Sequence, residues 1–496
     1  MAAIKKLLGH TAIYGLSSIL GRLLNYLLVP IHTAVFAAAE YGVVTELYAE
    51  IAFLNVLYTF GLETTFFRFA TKHADRSDHY FNIAESIIFT IALVFSALIL
   101  LFSNEIAGLL EYPEYSYAVR WIGMILAIDA VVALPFARLR LQAKAFRFAS
   151  IKVANISINV LLNILFLVIF PALPESPFKD ALYDPQIGVG YVFLSNLLAN
   201  ATLLIFFAGR LLQVKINFRW SDWKPLLVYA WPIVFLGFAG LTNEMFSRVM
   251  LKYLLPTDFY PGLSNREALG IFGACYKLSI FMTLAIQAFK YAYEPFFFKS
   301  STEDDQQARK VYSEVMQAFI FFGGLAWVGI TMILPEIAPF FLRKAIYLTG
   351  LEVVPLLLGG GLFLGIYYNL SLWYKVTDRT RDGAAISMVG MIVTVVGNLL
   401  LIPLLGYMGS AWTTLITYIV MVMVSFFWGQ RVYRVNYRVG RGLFLIFIAA
   451  ISAAYLTRLE DQLLIRYLFG FSALVIISIS YLVMSRFLTN KKQDNG

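Results

Sequence analysis

Cysteine is all but missing from this chain. Cys275 is the only one, which excludes a disulfide framework, a cysteine-rich metal site and an iron–sulfur centre. Histidine is nearly as scarce: His10, His32, His73 and His79 fall in no metal-ligand spacing. Charge is the third shortage. Charged residues make up 14% of the 496, against about 25% in a soluble chain, too few to cover a globular surface. Long polar loops are missing as well: the longest external one, around Pro171–Gln186, has no room for a folded domain. Membrane glycosyltransferases and polymerases usually need such loops to carry acids or metal ligands. An enzyme is therefore disfavoured, and no cofactor is expected. Met1–His10 carries Lys5 and Lys6 but leads into a full-length apolar stretch with Arg22 inside it, so no cleavable signal is expected.

What the chain has instead is apolar length. Apolar residues make up 60%, and a helical span takes about 20 of them. Runs such as Ile87–Phe102 are continuous, unlike the alternating segments of about ten residues in a transmembrane β-barrel. The reading is an all-α integral membrane protein with about fourteen spans. They cover 10–36, 42–67, 81–103, 117–137, 149–171, 187–209, 225–254, 268–297, 313–334, 353–374, 383–405, 407–429, 442–457 and 465–487. The thirteenth is the weakest, because its uninterrupted apolar core is short.

Lysine and arginine sort by side. With the N-terminus inside, 27 of the 39 basic residues fall on the cytoplasmic side, eight on the other, and four within spans. The net charge of +9 is thus a topology signal, not a nucleic-acid one. Both termini are expected to be cytoplasmic.

Three stretches repeat across the halves at offsets near 228. Arg22 and Arg248 each precede a proline by eight residues (Pro30, Pro256); Gly42, Tyr48 and Phe53 match Gly270, Tyr276 and Phe281; Glu63–Arg68 matches Glu294–Lys299. Asn163 and Asn398 also follow Arg147 and Arg381 at similar spacing. Six spans per repeat make two parallel lobes, a recognised transporter plan. The expected division is 1–220 for helices 1–6, 221–437 for helices 7–12, and 438–496 for helices 13–14 with a cytoplasmic tail. Substrate is expected between lobes that rock against each other. Because the repeat supplies a pseudo-dimer internally, a monomer is expected.

A charge at mid-bilayer costs about 2.5–3.5 kcal/mol on insertion scales, so each intramembrane charge needs a partner or water. Arg22, Arg248, Lys277 and Lys290 are the basic ones, and the first three reach similar depths, about 12 Å from the external end. A cationic cavity is the functional reading. A structural reading stands beside it, since Glu244 and Arg248 fit an intrahelical pair and Lys290 can snorkel. Glu46, Glu50, Asp129 and Glu244 are candidate ion-coupling or cavity acids, while Glu63 and Glu294 fit pairing with adjacent basic loops. Asn155, Asn159 and Asn163 form a polar stripe that suits helix–helix hydrogen bonds or sugar hydroxyls. The cluster Arg138–Lys152 suits anionic lipid heads or simple topogenic charge.

The N-terminal part resembles the polysaccharide-export branch of the multidrug/oligosaccharidyl-lipid/polysaccharide (MOP) flippase superfamily, which includes the Wzx-type oligosaccharide flippases. The likeness is carried by Arg22 and Pro30 in helix 1, the turn Glu40–Gly42, and the end of helix 2 at Gly61–Phe69 (GLETTFFRF). The 6 + 6 + 2 span plan extends it over the whole chain. The resemblance implies movement of an undecaprenyl-pyrophosphate-linked O-antigen, capsule or exopolysaccharide unit across a bacterial inner membrane. It implies pyrophosphate contacts from Arg22 and Arg248, with Lys277 less strongly marked, and glycosyltransferases or a polymerase nearby. Membrane potential, Na⁺ or H⁺ remain open as the driving force. The alternatives are a cation-coupled multidrug exporter of the MATE branch, using the acids, and then a membrane glycosyltransferase or polymerase.

Overall fold

The computed structural model describes residues 19–21, 23–287, 289, 305–377, 379–459 and 462–493, with side chains described up to 484. Arg22, Lys290 and Glu294 lie outside the described residues. Among those described, thirteen helices are long and apolar enough to cross a membrane. A shorter apolar helix, α1 (Leu28–Val35), precedes them within the first expected span. The thirteen are α2 (Ala38–Lys72), α3 (Ala74–Leu101), α4 (Pro113–Leu141), α5 (Ala145–Ala172), α6 (Gly190–Leu211), α7 (Trp220–Leu254) and α8 (Asn265–Gln287). They continue with α9 (Gln306–Phe341), α10 (Val353–Val376), α11 (Thr380–Leu405), α12 (Tyr407–Val432), α13 (Val439–Leu459) and α14 (Leu463–Met484). The thirteenth span is thus long enough: at 21 residues it reaches about 30 Å. The protein is a multi-pass, all-helical membrane protein.

Local chemistry sets the helix boundaries. The Glu40 carboxylate accepts from the Ala37 N–H at 2.7 Å, satisfying a donor that the first turn of α2 leaves free. Glu40 of the Glu40–Gly42 turn is therefore a helix cap. Ser264 and Glu267 form a reciprocal capping box at the start of α8. Within α2, Phe60 (φ 47°) and Gly61 (φ 65°) adopt the left-handed conformation and break the helix. A side chain at Gly61 would also meet Ile233 at 3.0 Å and the Ala230 carbonyl at 3.2 Å. In α5, Leu165–Ile169 forms a π turn just before Pro171, whose nitrogen has no hydrogen to donate.

The chain divides into two compact units, Met1–Leu241 and Thr242–Gly496, with the division inside α7. In the first unit, the Tyr58 hydroxyl meets Ser96 at 3.0 Å and Ser96 donates to the Gly123 carbonyl at 2.9 Å, tying α2, α3 and α4 together. At the other end, Asp78 bridges Arg138 at 2.6 Å and Arg210 at 3.2 Å, and both guanidinium groups lie over the Phe81 ring. Glu63 pairs with Arg140. These basic residues thus have protein partners beyond their topogenic role.

In the second unit, α13 and α14 pack on α9. Arg466 of α14, fully buried, pairs with Glu336 of α9. Trp327 donates to the Pro355 carbonyl at 2.8 Å, joining α9 to α10. Its ring fills the space where Gly359 has no side chain.

Candidate functional site

The C-terminal half of α7 carries two polar stripes, each spaced by four residues. Asn243 and Ser247 face neighbouring helices. Asn243 donates to the Ser387 carbonyl at 3.2 Å and accepts from Thr394 at 3.3 Å; Asn398 donates to Ser247 at 3.0 Å. Thr394 in turn meets Thr417 at 3.1 Å. These bonds fix the rotation of α7 against α11 and α12. Gly390 lets α11 come close, because a side chain there would meet Met421 and Asn243.

The adjacent stripe holds Glu244, which is exposed, and Arg248, which is half-buried. They form no ion pair with each other. The Arg248 guanidinium instead lies over the Tyr276 ring of α8, 4.0 Å from its centroid, a stack suited to a planar, weakly hydrated cation. Its Nε is buried with no hydrogen-bond partner among the described residues. Lys277 follows Tyr276, is exposed, and lies within electrostatic reach of Arg248. The buried Tyr418 of α12 is in reach of Tyr276, Glu244, Tyr368 and Arg248. Four helices therefore bring two cations, one carboxylate and three phenols together. Lys277 lies twelve residues beyond Asn265, about 18 Å along α8, and Arg248 six before Leu254, about 9 Å from the end of α7. The two therefore do not share the depth expected from the sequence; the long Arg248 side chain spans part of the difference to reach Tyr276. Among the described residues, no carboxylate forms an ion pair with either cation.

The acids of the first unit stand differently. Glu46 is fully buried and accepts a hydrogen bond from Tyr112. Glu50, one turn on, is half-buried. Asp129 of α4 accepts from Asn200 of α6 at 2.8 Å, and Asn200 accepts from Asn155 of α5 at 3.1 Å. Lys152 is the cation nearest in influence to Asp129. Asn196 donates to Tyr48 at 3.2 Å. The asparagine stripe of α5 therefore links helices: Asn155 reaches α6, and Asn163 meets His32 of α1 at 3.0 Å. Asn163 and Asn398 also each donate back one turn, to the carbonyls of Asn159 and Thr394.

Sequence reading passed over Glu85. It is fully buried in α3, and neither carboxyl oxygen has a hydrogen-bond partner among the described residues. Its signal in the sequence is a lone acid two residues before the apolar run from Ile87, close to the start of the expected span at 81.

A sequence profile of polysaccharide biosynthesis proteins matches residues 7–301, more than half of the chain. The chain belongs to the polysaccharide biosynthesis protein family. This family falls within the MOP flippase superfamily. A comparison with curated protein sequences finds no match. Among solved structures, the lipid II flippase MurJ in an inward closed conformation aligns with a TM-score of 0.74 at 13% identity, covering 96% of this chain and 100% of that one. A multidrug resistance MATE family transporter of the MOP superfamily aligns in its inward-facing conformation with a TM-score of 0.63 at 13% identity, covering 83% and 94%. The outward-facing conformation of a MATE family transporter gives 0.57 at 13% identity, covering 88% and 99%. At these identities the likeness is one of fold. Family and fold together are those of a membrane flippase or transporter.

Proposed function

We propose that this family member moves a lipid-linked oligosaccharide, an undecaprenyl-pyrophosphate-linked sugar unit, from the cytoplasmic to the periplasmic leaflet of a bacterial inner membrane. The observation that carries this reading is the Arg248 guanidinium stacked on Tyr276, which brings it within electrostatic reach of the next residue, Lys277, on spanning helices. Two neighbouring cations with no ion-pair partner among the described residues repel each other, and a pyrophosphate between them offsets that repulsion. The guanidinium fork matches phosphate oxygens in two parallel hydrogen bonds, and stacking on Tyr276 pre-orients it. Arg22 and Lys290 complete the proposed substrate-binding set by their place in the sequence. An interior-negative potential favours outward movement of an anion by about 2.3 kcal/mol per charge per 100 mV.

Transport is by alternating access, without covalent chemistry on the sugar. The repeat assigns 1–220 and 221–437 to the two moving parts and 438–496 to an appended pair. The protein acts as a monomer with both termini cytoplasmic, near the glycosyltransferases or polymerase that make and use the unit. Outward transfer of a fluorescent lipid-linked sugar in reconstituted vesicles tests this. Arg248→Ala and Lys277→Ala are each expected to abolish transfer while leaving the protein folded; full activity in both overturns the cationic site.

A cation-coupled multidrug exporter is the second reading, favoured by the Asp129–Asn200–Asn155 chain and, separately, by the buried Glu46. It predicts drug efflux that survives Arg248→Ala and fails in Asp129→Asn.

A further inference from the structure

The segment between α12 and α13 is fastened along one face of α9. Arg309 donates to the Arg434 carbonyl at 2.7 Å, Ser313 to the Asn436 carbonyl at 2.8 Å, and Gln317 to the Arg438 carbonyl at 3.1 Å. Each step is one turn of α9 on from the last. The fastening creates a concavity of about 600 Å³ in which Arg309, Lys310, Arg434 and Arg438 converge, with Glu314 as the one carboxylate among the described residues. Arg309 is held in place over the Tyr433 ring, 4.2 Å from its centroid.

One turn further along α9 the lining changes abruptly. A second cavity, of about 300 Å³, begins at Gln317 and Tyr437 and is otherwise walled by apolar side chains such as Ile320, Ile366, Met423 and Leu443. Leu443 is 60% exposed and the flanking Phe427 64%. On spanning helices such exposure faces hydrocarbon, so the cavity opens sideways to lipid. A cationic pocket at a helix end that continues into a lipid-facing apolar slot matches one kind of molecule, an anionic headgroup on a hydrocarbon chain.

We propose that this face of the second unit binds an anionic glycerophospholipid, its phosphate held by Arg309, Lys310, Arg434 and Arg438 and one acyl chain in the slot beneath. Basic pockets between spanning helices suit such headgroups. A polypeptide offers no such chain, and a bulk lipid reaches the slot by lateral diffusion alone. The inference is independent of the transported substrate, because none of these residues belongs to the Arg248–Lys277 cluster.

The test is native mass spectrometry of the full-length protein in detergent, titrated with phosphatidylglycerol or with phosphatidylcholine of the same acyl chains. Wild type is expected to retain phosphatidylglycerol preferentially through delipidation. The double variant Lys310→Glu/Arg434→Glu is expected to bind it at least about tenfold more weakly, and to lose the preference over phosphatidylcholine. Leu443→Trp, which fills the slot, is expected to weaken binding with the basic residues intact. Lys72→Glu in the first unit serves as a charge control and is expected to leave retention unchanged. Size-exclusion profiles establish that each variant is folded. Equal retention by wild type and the double variant overturns the proposal. So does full displacement by inorganic phosphate with no effect of Leu443→Trp, which marks a phosphate site, or tighter binding of a polyprenyl pyrophosphate, which marks a substrate site.

Discussion

The Arg248 guanidinium carbon sits 4.0 Å from the centroid of the Tyr276 ring, joining α7 to α8 inside the spanning region. A cation over an aromatic face contributes about 0.5–2 kcal/mol. Tyr276→Leu is therefore expected to weaken anionic-substrate transfer by about two- to thirtyfold. Arg248→Lys keeps the charge but loses the planar fork, and it is expected to restore little of the activity lost in Arg248→Ala. Transfer assays in vesicles check both; a lysine variant at wild-type rate contradicts the fork.

Gly61 is expected to be intolerant of a side chain. Its left-handed backbone costs any other residue about 1–3 kcal/mol, and a Cβ there would press on Ile233 and the Ala230 carbonyl. Gly61→Ala is expected to lower thermal stability in detergent, while Gly440→Ala, in open space, leaves it nearly unchanged. A midpoint for Gly61→Ala equal to wild type contradicts this.

The pair Arg466–Glu336 joins α14 to α9 with the arginine fully buried. Removing the acid takes the ion-pair partner from a buried cation, which costs about 3–5 kcal/mol in a fully dry site. Glu336 is partly exposed, so Glu336→Ala is expected near the lower end of that range. Arg466→Met, which removes the cation itself, is expected to cost less. Unfolding in denaturant, with both variants measured together, gives the order.

The clamp on α7 sets a smaller scale. Interhelical hydrogen bonds in membranes average about 0.6 kcal/mol, with a maximum near 1.7. Asn398→Ala, which removes the bond to Ser247, and Asn243→Ala, which removes those to Ser387 and Thr394, are each expected within that range. A much larger loss in either shows that rotation of α7, and not bond count, governs the fold.

Glu85 is expected to behave in the opposite way. A buried carboxyl without a hydrogen-bond partner gains nothing from its ionisable form. Glu85→Gln is accordingly expected to fold with stability equal to or above wild type. A loss of more than about 1 kcal/mol would show a partner that forms in another conformation.

Hydropathy made the span plan legible because burial in lipid is additive along contiguous residues. Thirteen expected spans recur as helices, and the short core around Leu443–Leu456 extends to a full span once Val439 and Leu459 are included. The repeated arginine was half legible: Arg248 stands on α7, while Arg22 lies outside the described residues. Partners were not legible. Glu244 lies four residues from Arg248 yet does not pair with it, because the Arg248 side chain turns onto the Tyr276 ring of the neighbouring helix.

The sequence alone determined that this is a helical membrane protein and which stretches are long and apolar enough to span, since both depend on local composition. Tertiary structure decided what the rare polar groups do. Tyr112 bonds Glu46 across 66 positions, Asn200 bonds Asp129 across 71, and Arg434 and Arg438 join Arg309 only because α9 carries the segment between α12 and α13. Such contacts depend on the rotation and register of helices far apart in the chain, which side-chain packing sets and no run of residues encodes.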